Sequence, residues 1–500
     1  MALLCGILGL LPYGYLVLAS RSAASVSWGD QSTLDGFLGH ILRREYGTFS
    51  LGKSGDKTSP FVASGTFLPT LSLMLAGSFR RLLGGGPLLA LAILPRAFRK
   101  QPDRSRVRML IVLVLGYAIV FCAMSNLATD KPLYRTVLSR FFIQTDLLLA
   151  LAAGLGWADL SRRVEARMAS PWIPRLSAAL VALVFAAGLA VNSGSSQRRN
   201  TVFRDFVTTA FASLPPNAIV VTVGDHLTGA VLYFHEVEKL RPDVIHLDEQ
   251  LLGYRWFCER RKRKHPDLSI PAGVYLPGGF TIKQLMTANP NRPLVVLDRL
   301  STWDQSWKDG YRLASMGLIH PLILADRYPA FEQWVERDRQ ALGDYDPVTA
   351  LRYPQGSWEQ MLGQQALNMQ VARAQIALLY SHESGNSLAP AQMSVKLLEQ
   401  VLRRAGGSPS LGIAGEPGLP VLETHSMIYK NLGIGYEILS HYDPSYLPRV
   451  AKAWELFVAL APETDPDLPA ARAYLQKHPP PREGGGALAP TKIDPTRQRH

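Results

Sequence analysis

The sequence predicts a polytopic α-helical membrane region, then an α/β (βαβ) domain, then a C-terminal α-helical region of tetratricopeptide-like (TPR-like) pairs. Three observations predict it. Apolar runs of spanning length crowd the first two fifths of the chain. A β-branched run, a stretch of helical spacing and a second apolar run follow one another after Asn217. From Gln364 onward, apolar positions recur at helical spacing between short loops. Of the 500 residues, 47% are hydrophobic and 19% charged, which excludes a disordered or collagen-like chain. The net charge of +13 would point a soluble chain toward nucleic acid, but here Lys and Arg gather beside apolar segments, so topology explains them first. Cys5, Cys122 and Cys258 lack the paired spacing of a zinc site or a disulfide framework.

Residues 1–192 form the expected membrane region. Residues 1–19, MALLCGILGLLPYGYLVLA, are uncharged and about long enough to span. A signal peptide is the competing reading, because small residues follow Ala19, but a basic n-region is missing and Pro12-Tyr13-Gly14-Tyr15 interrupts the apolar core. Further spans are expected at 82–94, 109–128, 141–158 and 176–191, about five in all. The second is short and follows Arg80 and Arg81, so it is read as the deeper half of a tilted helix beginning near Phe67, with the arginines snorkelling or facing protein. Lys and Arg accumulate in short cytosolic loops, which places 96–108 and 161–175 in the cytosol. The loop 20–66, the loop 129–140 and everything after Asn192 then lie on the opposite, lumenal face. No Asn-x-Ser/Thr sequon occurs to test this assignment.

The domain at 200–350 opens with a helical stretch, 201–213, and a break at Pro215-Pro216-Asn217. Strands are expected at 218–223, 243–247 and 293–297, with a helix at 226–240, which makes a parallel βαβ unit. The Gly224-Asp225 turn lies at the carboxyl end of a strand, where ligands bind in open α/β sheets, although a strand-to-helix connection with Asp as N-cap accounts for it as well. Asp248-Glu249 has the same two readings. The basic run Arg260 to Lys264 reads either as a surface for an acidic partner or lipid head groups, or as a solvated helix face. At 360–478, helices are expected at 364–380, 394–404, 424–440 and 446–460, and the tail 479–500 is rich in Pro and Gly and expected to be disordered. A phosphate-binding GxxxxGK[ST] loop, a GxSxG elbow and an HExxH site are all absent from the sequence, and no metal is expected.

The loop SVSWGDQSTLDGFLGHILRREYGTFSLGK stands out. Leu34, Phe37, Leu38, Ile41 and Leu42 recur at helical spacing, so this piece is expected to lie along the membrane interface. Trp28, Asp30, Arg43, Arg44, Glu45 and Tyr46 then bring aromatic, cationic and anionic groups to the level of a lipid phosphate. An ordinary interfacial anchor is the alternative. Three separated blocks, SWGDQSTLDGFLGHILRREYGTFSL, DKPLYRTVLSRFFIQTDLLLALAAGLG and LPPNAIVVTVGDHLTGAVLYFHEVEKLRPDVIHLDEQLL, resemble consecutive blocks of the transmembrane protein 260 family.

That resemblance implies a GT-C-like membrane fold, here partial, and a multi-pass protein O-mannosyltransferase of the endoplasmic reticulum. It implies dolichyl-phosphate-mannose as the lipid donor, with no further cofactor, and Ser or Thr of IPT domains in plexins and MET-type receptor kinases as acceptors. Such a reaction needs cations at the membrane surface for the departing phosphate and a carboxylate for the acceptor proton. Arg140, in the SRFF that opens the fourth span, is the first candidate for a donor-phosphate contact, unless it is a snorkelling anchor. Arg43 and Arg44, with Trp28 and Tyr46 beside them, come second. Family members carry a GGDSGEL-like acidic motif in an earlier lumenal loop, and this chain has none. The expectation is therefore a fragment, isoform or incomplete gene model that is inactive alone, with Asp30 and Glu45 the weak substitutes for the base. Two other classes stay open. A non-enzymatic membrane scaffold would bind partners through the same domains. A transporter fits less well, because the spans hold almost no charge apart from Asp146, itself read as a relay carboxylate or as facing Gln144 or a neighbouring helix.

Overall fold

The computed structural model describes residues 2–21, 29–44, 65–83, 85–98, 104–125, 127–168, 170–192, 197–343, 345–417, 419 and 426–479. The part of the expected disordered tail from 480 to 500 lies outside them. Of the described residues, those within Met1–Asp30 and Thr201–Gln498 make one compact unit and those within Gln31–Asn200 a second. The first helix, α1 (Ala2–Arg21), belongs to the former and runs through Pro12.

In the unit from Gln31 to Asn200, α2 (Leu34–Ile41) is started by Thr33, whose hydroxyl accepts from Gly36 N at 3.1 Å, and buries none of its side chains. Next come α3 (Phe67–Arg81), α4 (Gly85–Leu91), α5 (Leu94–Phe98), α6 (Arg104–Met124), α7 (Pro132–Ser139), α8 (Ile143–Met168) and α9 (Ile173–Asn192). Against about five expected spans, three described helices are long and apolar enough to cross a membrane: Arg104–Met124, Pro132–Met168 and Ile173–Ala190. A fourth is added if the bent pair α3 with α4–α5 counts as one. In α9, Leu176, Leu183, Phe185 and Leu189 are all exposed, an apolar surface that water would not tolerate and lipid would.

The second expected span is not one tilted helix. Phe67–Arg81 and Gly85–Phe98 meet at 105°. Leu83 takes a left-handed φ of 55°, and Pro87, which has no N–H to donate, sits in the first turn of the new helix. The partners of α3 follow from that break. Thr66 Oγ1 donates to Ser125 O at 2.8 Å, Thr70 and Ser125 share a hydroxyl hydrogen bond of 3.2 Å, and Thr145 Oγ1 donates to Met74 Sδ at 3.5 Å. Ser125 follows the last residue of α6 and Thr145 lies in the first turn of α8, so α3 lies across the end of the bundle where α6 stops and α8 starts. Beyond the bend, α4 runs along α8, close enough that a Cβ on Gly156 would meet Leu89 O at 2.0 Å. Near the other end of α8, Asp159 pairs with the buried Arg96 and, at 3.1 Å, with Arg162.

After α1 the other unit continues with α10 (Val202–Ala212), β1 (Ile219–Thr222), α11 (Asp225–Leu232), β2 (Ile245–Asp248), α12 (Arg255–Lys264), α13 (Ile282–Ala288) and β3 (Leu294–Leu297). The parallel pairing expected from the sequence is present. Ile219 stands opposite Ile245 on one side and Leu294 on the other. Two antiparallel strands, β4 (Tyr311–Leu313) and β5 (His320–Leu324), extend the sheet to the order β2-β1-β3-β5-β4. Successive side chains point to opposite faces. Val220, Val295 and Leu297 pack with Phe206, Phe211 and Leu227 on one face, while Ile219, Val221, Leu247 and Val296 pack with Phe257, Ile282 and Leu285 on the other. Both faces are covered, which is why β1 and β3 read as almost continuous apolar runs, while β2 alternates Ile245 and Leu247 with the buried His246 and Asp248. Full burial of each such side chain contributes about 1.5–3 kcal/mol.

Helices complete this unit: α14 (Phe331–Leu342), α15 (Val348–Leu351), α16 (Trp358–Glu383) and α17 (Leu388–Arg404), then the small hairpin β6 (Gly407–Ser408) and β7 (Ile413–Ala414), then α18 (Ser426–Ser440), α19 (Leu447–Leu460) and α20 (Leu468–Lys477). From α16 to α20 each helix packs on the next. Glycine sets the spacing around α18. A Cβ on Gly433 would come within 2.8 Å of the Trp454 ring, and one on Gly435 within 2.7 Å of Val395. Sheet and helices are joined by a buried ion pair. Arg373 of α16 binds both carboxylate oxygens of Asp338 of α14 at 2.5 Å, and Asp338 Oδ1 also accepts from Gly317 N at 2.9 Å.

His320 on β5 is fully buried and shares a hydrogen bond of 2.8 Å with Ser315 Oγ. Burial pushes its imidazole down to about 4. The unfolded chain therefore takes up a proton near pH 6.5 that the folded chain refuses until about pH 4. Stability is expected to fall by roughly 3 kcal/mol across that window and to be unaffected above it. Thermal melts of the wild type and His320→Gln from pH 7.5 to 4 check this. The substituted protein should show the shallower decline, and parallel curves would assign the acid sensitivity elsewhere.

Candidate active site

The best-placed sequence candidate, Arg140, lies in a short 3-10 turn, Arg140–Phe142, between α7 and α8. The turn is fixed from both sides. Leu138 and Phe142 are buried, Phe121 packs edge-on against Phe142 at 5.9 Å, and Tyr117 Oη donates to Phe141 O at 2.7 Å. With those neighbours inside, Arg140 is left exposed at the end of the helix bundle.

Beside it is an ionic cluster whose partners no sequence motif reveals. Asp146, in the first turn of α8, accepts from Ser78 Oγ at 2.5 Å and from Arg81 Nε at 2.5 Å. The same guanidinium lies 5.8 Å from the centre of the Phe142 ring. Of the two readings of Arg80 and Arg81, Arg81 faces protein. Asp146 faces a neighbouring helix rather than Gln144, whose side chain accepts from Tyr117 at 3.1 Å. Room for this arrangement comes from Gly77, since a Cβ there would sit 2.7 Å from Arg81 Nη1. Ser78 and Arg81 are 68 and 65 residues from Asp146, and the packing of α3 on α8 brings them together.

The interfacial candidates are placed differently. Arg44 is bound to Asp35 at 2.7 Å, and Arg43, with φ of 50°, closes the turn after α2. Arg44 and Arg140 therefore share no partner. Trp28, Glu45 and Tyr46 lie outside the described residues. Asp30 accepts from Ser20 Oγ at 3.4 Å, and its charge opposes the desolvation that lowers the Arg260 guanidinium. Ser20, Asp30 and Arg260 all belong to the unit that holds α12.

At the carboxyl edge of the sheet, Asp225 is exposed in the first turn of α11, and the N-cap is Gly224, whose φ of 90° an L side chain rarely adopts. Asp225 is thus not the cap the sequence offers. Asp248 is absorbed by a buried chain of hydrogen bonds. Thr228 donates to it, Thr222 joins Thr228 at 2.8 Å and His246 at 2.7 Å, and Leu251 N donates to its Oδ1 at 2.7 Å. Burial nonetheless pushes the Asp248 carboxyl up. Glu249 accepts from Ser301 N at 2.7 Å and from Tyr275 Oη at 3.1 Å. The basic run is not a solvated face throughout. Arg261 is 3% exposed and paired with Glu236 at 3.2 Å, and Lys264 pairs with the same carboxylate. Burial pushes Glu236 up, but the bond to Lys264 and the Arg261 charge together bring it down to about 2. Among the described residues no group of three His, Cys, Asp or Glu is placed to hold a metal ion.

Helices fit to cross a membrane, an ionic cluster at one bundle end and, in the other unit, a five-stranded mixed sheet with sequentially packed helices define a membrane protein that also carries a large folded α/β and helical unit. Residues 203–274, from α10 through α12 and into the following loop, match the family model described as TMEM260-associated domain 2. The chain is 30% identical over 406 residues to the protein named Protein O-mannosyl-transferase TMEM260 of Mus musculus, an alignment covering 78% of this chain and 55% of the relative. It is 28% identical over 422 residues to Protein O-mannosyl-transferase tmem260 of Dictyostelium discoideum, covering 79% of this chain and 51% of the relative. No solved structure matches. The chain belongs to the TMEM260 family. It spans about half the length of the curated relatives it matches.

Proposed function

We propose that this protein is a protein O-mannosyltransferase of the endoplasmic-reticulum membrane, moving mannose from dolichyl-phosphate-mannose to Ser or Thr of IPT domains in plexins and MET-type receptors. The observation that carries the reading is the similarity, over more than three quarters of this chain, to two relatives of that name. A GT-C-type arrangement of the spans and TPR-like pairing of α16 to α20 belong to the same proposal.

When the anomeric bond breaks, negative charge grows on the donor phosphate, and a preorganised cation next to it lowers the barrier. Arg140 is exposed at the bundle end with its backbone locked by buried neighbours. Arg81 is steered by Asp146 and contributes positive charge at the same end. Arg43 and Arg44 are the secondary donor contacts, with Trp28 and Tyr46 beside them. Proton removal from the acceptor hydroxyl needs a carboxylate within hydrogen-bond reach, for which Asp30 and Glu45 are the weak candidates in this chain.

Orientation is tested by labelling. In a background without native cysteines, Ser105→Cys should react with an impermeant maleimide added from the cytosol. Asp225→Cys should react only after the lumenal compartment is opened. The reverse pattern would invert the topology and remove Arg140 from the donor side.

A further inference from the structure

Among the described residues, a cleft of about 350 Å³ lies between α10 and the segment joining α14 to α15, lined by Val202, Asp205, Thr208, Thr209, Tyr345, Asp346, Thr349 and Ala350. Its size is that of a small-ligand pocket. We infer that this cleft binds the basic side chain, arginine or lysine, of a polypeptide partner.

The lining decides the ligand class. It contains two carboxylates, three threonine hydroxyls and one tyrosine, with no Lys, Arg or His. Nearby cations are turned elsewhere or stand off. Arg204, next to Asp205 in sequence, is clamped onto Glu238 at 2.9 and 3.2 Å. Arg404 Nε forms a loose ion pair with Asp346 at 3.9 Å from outside the lining, and Val348 N donates to Asp346 Oδ1 at 3.2 Å. Asp205 has only a hydroxyl, Thr201 Oγ1 at 2.7 Å, on its side chain.

A second observation is independent of the acids. Tyr345 is 8% exposed, and its hydroxyl is buried without any hydrogen-bond partner among the described residues. A buried hydroxyl in that state is an acceptor waiting for a donor. Burial, reinforced by the charges of Asp205 and Asp346, pushes its pKa up, so it stays a neutral hydroxyl. A guanidinium or ammonium supplies positive charge for Asp205, a second cation beside Asp346, and N–H donors for the hydroxyls. A sugar would seek an open aromatic face, but the Tyr345 ring is engaged with Phe206 at 5.6 Å and 85°. A divalent ion would seek a third ligating side chain, and none is placed here.

The chain's overall charge sharpens the argument. At a net +13, the protein as a whole repels a cationic peptide, so any attraction must come from this local field. The inference does not rest on the mannosyltransferase reading and stands or falls separately from it.

The test is fluorescence anisotropy of the purified full chain in a neutral detergent, titrated with a fluorescein-labelled tri-arginine peptide and with its tri-citrulline counterpart. The arginine peptide should bind, with affinity falling as salt is raised, and the neutral peptide should not. Asp205→Asn combined with Asp346→Asn should weaken binding at least about tenfold. Both carboxylates are exposed, so the fold should survive, as equal melting temperatures would verify. Tyr345→Phe, which keeps the ring and removes only the hydroxyl, should weaken it several-fold. Equal affinity for the two peptides, unchanged affinity in the double variant, or displacement of the arginine peptide by free mannose would each overturn the inference.

Discussion

In a full-length version of the protein, replacing Arg140 with alanine is expected to lower mannosyl transfer at least about tenfold while leaving expression and membrane insertion unchanged. Leu138 and Phe142 on either side of Arg140 are buried, so the helix ends keep their packing when the exposed side chain is cut back. A cation that acts on the departing phosphate is used more in the transition state than in the bound donor, so the loss should fall on kcat more than on KM. Arg140→Lys should recover part of the activity, since it restores charge without the planar fork. Arg44→Ala is the internal control. Its guanidinium is already held by Asp35 at 2.7 Å, and a smaller loss is expected. Equal rates for wild type and Arg140→Ala at matched protein level would reduce Arg140 to an anchor at the membrane surface.

Replacing Arg373 with methionine is expected to destabilise the unit containing the sheet by about 3–5 kcal/mol, because it leaves Asp338 buried without its counter-ion. Asp338 and Arg373 side chains are 2% and 5% exposed, so water cannot take over. Asp338 also fixes Gly317, where a Cβ would meet the Ala341 backbone at 2.3 Å, so the loss should spread to the β5 turn. Replacing both ionic partners with apolar residues of similar volume should cost much less, since no uncompensated charge remains. Denaturant unfolding of the single and double variants measures the difference. If Arg373→Met alone is within about 1 kcal/mol of wild type, the pair does not join sheet to helices in solution.

Periodic signals carried the fold a long way. The strands expected at 218–223, 243–247 and 293–297 and the helical spacing from 364 onward needed nothing but periodicity and composition to be located. What escaped detection had weak local signals. Tyr311–Leu313 is only three residues long, and Pro321 lies inside its partner strand, where a proline argues against a ladder. The bend after Arg81 was masked by continuous hydrophobicity, because composition does not record direction and the turn is written in Leu83, Gly85, Gly86 and Pro87 alone. The site was legible in part. Arg140 could be picked out by its place at a span end, but the Ser78, Arg81 and Asp146 cluster depends on the packing of α3 on α8 and on the space above Gly77. The cleft at Tyr345 left no motif at all, since one of its acids lies in α10 and the other in the connection before α15, and its key feature is a missing hydrogen bond.

The central claim is mannosyl transfer, and the most direct measurement supplies radiolabelled dolichyl-phosphate-mannose and an isolated IPT domain to membranes containing a full-length version of this protein. Label should appear on Ser or Thr of the IPT domain, should depend on the protein, and should fall with Arg140→Ala. Capture of the IPT domain with no label transferred would contradict the account and make the protein a scaffold.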